Sequence, residues 1–74
     1  MITMSMYKIT RRTILGGEED IMTFDSIYVA EKYLFDIKEE LTEHYKEATV
    51  SYTRGKLLDI IVGHELIEYR VWEL

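Results

Sequence analysis

The side chains able to move a proton near neutral pH are His44 and His64, and neither stands where catalysis would need it. His44 has Glu40 and Glu47 within one helical turn, a set that could hold a metal weakly. A metal centre needs three or four converging ligands, and this stretch offers one face of one helix. His44 therefore reads as a border residue of that helix. His64 follows Gly63 between two apolar runs, where an exposed polar turn residue is ordinary. The chain has no cysteine, which removes a catalytic thiol and any thiolate metal site. No serine stands in a nucleophile motif, and Gly16-Gly17 runs into Glu18-Glu19-Asp20, which repels phosphate. The expectation is a protein that is not an enzyme and uses no cofactor and no metal.

Charge says more. Fourteen Asp and Glu against nine Lys and Arg give a formal net charge of −5, which favours solubility and basic partners over nucleic acid or anionic membranes. Asp36, Glu39, Glu40, Glu43 and Glu47 project from one side of the predicted helix. The pairs Asp36/Glu40, Glu39/Glu43 and Glu43/Glu47 set like charges four residues apart, each costing a few tenths of a kcal/mol. Glu43 and Glu47 also fall at the negative end of the helix dipole. A glutamate-rich face is soluble and helix-forming, so it has an ordinary explanation. Its local cost makes it a candidate surface for a basic protein partner, including mimicry of a phosphate backbone against a DNA-binding protein. The competing basic set is Lys8, Arg11, Arg54 and Lys56, with Arg12 and the aromatic rings of Tyr7 and Tyr52 near in sequence. Such residues can stack and neutralise RNA. Adjacent strand residues point to opposite faces, however, which separates Arg11 from Arg12.

The elements that must carry these residues follow from hydrophobic period. Tyr7–Leu15 reads as a strand, Gly16-Gly17 as a reversal, and Ile21–Phe24 as its returning strand. Behind Asp25 and Ser26, both good N-cap residues, Ile27, Ala30, Leu34, Ile37, Leu41 and Tyr45 recur at helical spacing, predicting a helix from about Asp25 to Lys46. Ala48–Thr53, Leu57–Val62 and Leu66–Glu73 read as three more strands, joined by turns at Arg54-Gly55-Lys56 and Gly63-His64-Glu65. The expected fold is a single α+β domain of order ββαβββ, with one long helix on one face of an antiparallel sheet of four or five strands. The 74 residues suit one core, and Met1–Ser5 reads as a loose tail with the start uncertain among Met1, Met4 and Met6. No apolar run approaches a membrane span and the opening has no signal-peptide pattern, so the expected location is the cytoplasm.

One helix leaves the second face of the sheet open. If Val50, Tyr52, Leu58, Ile60, Val62, Ile67, Tyr69 and Val71 face the helix, alternation turns Leu57, Ile61, Leu66 and Trp72 outward. These four form the expected interface, with a homodimer as its simplest form. Tyr28 and Phe35, seven residues apart, are expected to extend the core against the first hairpin.

A small acidic chain without cysteine or proline resembles, in style and without any shared motif, the small early proteins with which bacteriophages disable host enzymes. The resemblance implies a viral or mobile-element inhibitor. The function expected is therefore a non-catalytic binding protein that inhibits or regulates another macromolecule by occupying its surface. The alternatives are an RNA- or nucleotide-binding module and a structural homo-oligomer.

Overall fold

A computed structural model describes residues 5–74. The expected tail over Met1–Ser5 therefore lies, apart from Ser5, outside the described residues. The changes of hydrophobic period become six elements: β1 (Tyr7–Thr13), β2 (Gly17–Phe24), α1 (Ile27–His44), β3 (Thr49–Thr53), β4 (Leu57–Val62) and β5 (Glu65–Glu73). All strand pairs are antiparallel, in the spatial order β2-β1-β5-β4-β3, and the helix packs principally on β1, β2 and β4. This is the expected two-layer α+β fold. Among the described residues no helix is long and apolar enough to cross a membrane.

The core lies where the helix crosses the sheet. Ile9, Ala30, Leu34, Leu58, Ile60 and Tyr69 are buried in one cluster, and Val50, Tyr52, Val62, Ile67 and Val71 pack against it. Alternation along the strands thus aims the expected residues at the helix.

Several boundaries move, each for a local reason. The first reversal is the turn Ile14–Gly16, so β1 ends at Thr13 rather than Leu15. The acidic run is not in the turn but in β2, where Glu18 and Glu19 lie opposite Arg12 and Arg11. Cross-strand charge pairing draws it into the ladder. Ile21 is an extra residue in β2, bulged between the pairs Ile9↔Met22 and Thr10↔Asp20. The helix is shorter than predicted at both ends. Ser26, extended at φ −139, is its N-cap without a side-chain cap bond, and Tyr45 ends it at φ −112, ψ 84. Glu47 consequently lies in the turn after the helix and does not belong to the acidic helix face.

Two glycines set strand positions. Gly63, at φ 60, opens a two-residue turn with His64, so β5 begins at Glu65 rather than Leu66. Gly55, at φ 70, occupies the third position of a turn that Lys56 N–H closes onto the Thr53 carbonyl at 3.0 Å. Gly55 is buried against the helix, and an added Cβ would come within 2.9 Å of Glu31 Cγ. Any larger residue there must both strain the backbone and displace Glu31.

Two changes check this packing. Leu34→Asp places an unpaired charge in the core and should abolish the cooperative thermal transition by circular dichroism. Gly55→Ala should fold but lose about 1–3 kcal/mol, seen as an earlier denaturation midpoint in urea.

Candidate interaction surfaces

Most of the basic side chains are already engaged within the chain. Ile9 enters the core, so Lys8, Thr10 and Arg12 take the opposite face and Arg11 the helix side. Lys8 Nζ lies 3.5 Å from Asp20 Oδ1, Arg11 binds Glu19, and Arg12 reaches Glu68 Oε1 at 3.4 Å. A hydrogen bond with Tyr69, and then one with Glu19, raise the Arg11 guanidinium further above its ordinary value. Arg54 donates to Glu31 Oε2 at 3.2 Å, and Lys32 to Asp36 at 3.0 Å. The bulge falls in β2 and not β1, so nothing brings Arg11 and Arg12 to one side. Lys8, Arg11, Arg54 and Lys56 do not form one patch: two lie on β1 and two at the β3–β4 turn.

The acids of the helix are distributed differently. Asp36, Glu39, Glu40 and Glu43 are all exposed. Asp36 has Lys32 as partner, whereas among the described residues Glu39, Glu40 and Glu43 enter no ion pair. Glu40 and Glu43 flank a shallow hollow with Leu41, His44 and Tyr45 at the end of the helix. His44 meets Tyr45 edge-on, with ring centroids 4.5 Å apart. Among the described residues no three His, Cys, Asp or Glu side chains converge as metal ligands would. His64 is exposed in its turn.

The far face of the sheet carries Leu57, Ile61, Leu66 and Trp72, but not as one patch. Ile61 pairs directly with Leu66, and Leu57 with Arg70. Between these pairs runs a polar row, Arg12–Glu68–Asp59–Ser51, formed by the cross-strand partners of β1, β5, β4 and β3. Trp72 anchors the other side of that row. Its Nε1 donates to the buried Thr10 Oγ1 at 2.9 Å, and the Arg70 guanidinium lies 5.2 Å from its ring centroid. Leu66 instead lies beside Ile14, Leu15 and His64 in a hollow between the two hairpin turns, where Leu15 is 96% exposed.

The polar row holds a pair that sequence reading missed. Asp59 and Glu68 are directly opposite, Glu68 is buried, and Asp59 Oδ1 is buried without a hydrogen-bond partner. Burial first, and then the adjacent Glu68, push the Asp59 carboxyl above its usual range, while Arg70 and Arg12 oppose the shift. Glu68 is in turn held by Arg12 and by Arg70, at 3.4 and 3.5 Å. The signal was the Gly63-His64 turn: read as a two-residue turn, it sets Asp59 opposite Glu68.

Tyr28 and Phe35 also sit elsewhere than predicted. They face the β3 side of the helix, not the first hairpin, and line a cleft with Glu31, Lys32, Tyr52 and Arg54. Phe35 meets Tyr52 edge-on at 6.4 Å, and Lys38 Nζ lies over both rings. Helical geometry explains the difference. Tyr33, two residues before Phe35, is the side chain on the hairpin flank, where it meets Phe24 at 5.3 Å.

The chain matches no family model, and no curated protein or solved structure is significantly similar to it.

The Asp59–Glu68 pair has a pH signature. An aspartate whose folded pKa is raised binds more protons folded than unfolded. Its contribution is therefore fully present below the unfolded value of about 3.9 and is lost as pH rises through the raised value. Asp59→Asn removes the like-charge opposition, which costs up to about 1 kcal/mol across a strand pair. The variant should melt above the wild type at pH 7, by up to about 4–8 °C. The gap should close on acidification towards pH 4, as followed by circular dichroism. A gap independent of pH would show that Asp59 is not the titrating group.

Proposed function

We propose that this protein is a small acidic binding protein that acts without catalysis, inhibiting or regulating a macromolecule by occupying its basic surface. One observation carries the reading: carboxylates without a partner cluster on the helix. The cations of β1 and of the β3–β4 turn are largely neutralised by Asp20, Glu19, Glu68 and Glu31. Among the described residues Glu18, Asp25, Glu65 and Glu73 are exposed acids without an ion pair at scattered positions, whereas Glu39, Glu40 and Glu43 cluster on the helix, with Asp36 beside them and Glu47 just beyond the helix end. A local cluster of negative charge of this kind steers a basic partner and speeds its encounter. A protein that occupies a DNA-binding surface in place of the phosphate backbone is the form of partner recognition that best fits such a face.

Binding to RNA through Lys8, Arg11, Arg54 and Lys56 has less support. The first three already have carboxylate partners, which a phosphate would have to displace. The far-face residues Trp72, Leu57, Ile61 and Leu66 offer a second and less continuous contact area. Action as a viral or mobile-element inhibitor in the cytoplasm is consistent with the composition and belongs to the same proposal.

The acidic face is tested by charge reversal. Affinity capture on the immobilised wild-type protein should retain a partner with a basic surface. Glu39→Lys/Glu43→Lys should weaken that complex by about tenfold or more, chiefly through a slower on-rate in surface plasmon resonance, and the wild-type complex should loosen with salt. The fold should be unchanged or slightly firmer, because lysines suit the negative helix end and meet Asp36 and Glu40 three residues before them. An affinity indifferent to reversal would reduce this face to a solvated surface.

A further inference from the structure

The two edges of the sheet are built in opposite ways. At one edge β2 carries Glu18, Glu19 and Asp20 and is bulged at Ile21. Charge and bulging are the usual means by which an edge strand repels another strand. At the other edge β3 reads Thr-Val-Ser-Tyr-Thr, with no charge, no proline and an unbroken register against β4. Its outward backbone groups are open to pairing, and β-branched and aromatic residues favour it.

The aromatic cleft of the helix opens over this same edge. Tyr28 is 75% and Phe35 43% exposed on the flank beside β3, above Tyr52. The charges there are balanced: Glu31 is held by Arg54, and Lys38 lies over the aromatic rings. Of the uncompensated carboxylates of the helix, Glu40 belongs to the flank turned towards β2 and Glu43 to the outer side, while Glu39, four residues after Phe35, stands at the outer rim of the β3 flank. For a chain of net charge −5, the uncharged β3 edge, with Glu39 alone of these three at its outer rim, is thus where a second copy meets less carboxylate repulsion than at the β2 edge with Glu18, Glu19 and Asp20.

We propose that β3 is a self-association edge, with two copies of this chain pairing β3 to β3 antiparallel about a two-fold axis through Ser51. The register is self-complementary. Val50 meets the partner's Tyr52 on the helix side, a β-branched residue against an aromatic one, while Thr49 meets the partner's Thr53 on the far side. Both are favourable cross-strand pairs. The small Ser51 faces its own copy on the axis. Because that axis is normal to the sheet, both helices stay on one side of a continuous ten-stranded sheet, and the two Phe35–Tyr52 shelves come together above the joined strands. One operation covers both the open edge and the exposed aromatic flank.

The test uses the full chain in sedimentation equilibrium, with variants at the exposed positions 49 and 53. The wild type should be a dimer in the micromolar range. Thr49→Lys/Thr53→Lys sets like charges opposite each other twice and should weaken association by at least about tenfold. Thr49→Glu/Thr53→Lys sets opposite charges in the same places and should retain the dimer. Circular dichroism melts check that each variant is folded. Hydrogen exchange on the unmodified protein is independent of any variant, and the β3 amides should gain protection as concentration rises. A wild type that stays monomeric at several hundred micromolar overturns the proposal, even where a foreign extended peptide binds β3. Equal loss in both charge variants overturns the register. Dissociation by Ile61→Glu but not by the double lysine variant moves the interface to the far face and overturns it too.

Discussion

One helix cannot cover five strands, and most features of this protein follow from that mismatch. Strands about 4.8 Å apart make a five-stranded sheet roughly 19 Å across, whereas a helix with its side chains spans about 10–12 Å. The buried cluster is correspondingly narrow. Ile9, Leu58, Ile60 and Tyr69 come from β1, β4 and β5, while the edge strands supply only half-buried side chains such as Ile21 and Phe24, or Val50 and Tyr52. A core of this size leaves small margins. The edges and the far face must be made compatible with water by means other than apolar burial.

Charge supplies much of that. Ion pairs this exposed contribute at most about 1 kcal/mol each, so their value lies in selecting a structure more than in stabilising it. Arg11 and Arg12 opposite Glu19 and Glu18 favour one register of the first hairpin and penalise a slip that would bring like charges together. The same acids keep the β2 edge from pairing with another chain. Since the basic residues are largely engaged in this way, the negative excess cannot be spread evenly. It is densest on the helix at Glu39, Glu40 and Glu43, with Glu18, Asp25, Glu65 and Glu73 as scattered unpaired acids elsewhere among the described residues.

The fold was legible because period is a property of the sequence alone. The helical recurrence from Ile27 to Leu41 and the alternation in β4 and β5 name the residues that face the core before any coordinate is known. What could not be read was pairing between elements. The acidic run looked like loop until Arg11 and Arg12 lay opposite it. Asp59 and Glu68 are nine residues apart, and only a two-residue turn makes them neighbours. The end of the helix is hidden in the sequence because Tyr45 continues the apolar stripe while its backbone has left the helical region, carrying Glu47 off the acidic face. Helical spacing gives the direction of Tyr28 and Phe35 around the axis but not which edge strand lies on which side. Strand order settles that, and order is a tertiary fact.

The far face shows how the constraints act together. Alternation that sends Leu58 and Ile60 into the core must turn Leu57, Asp59 and Ile61 outward, and a fully apolar row there would invite stacking of one sheet on another. Asp59 interrupts it, opposite Glu68, and Arg12 and Arg70 close the polar row on the β1 side. The two carboxyls oppose each other at some cost in stability, but they divide the apolar surface into pairs too small to hold a second layer. Trp72 is tied to Thr10 and Arg70 on its own side of the row. A face divided in this way disfavours face-to-face association. It leaves the uncharged β3 edge as the part of the sheet with the fewest obstacles to a partner strand, because β2 carries its own acids and the helix packs on β1, β2 and β4.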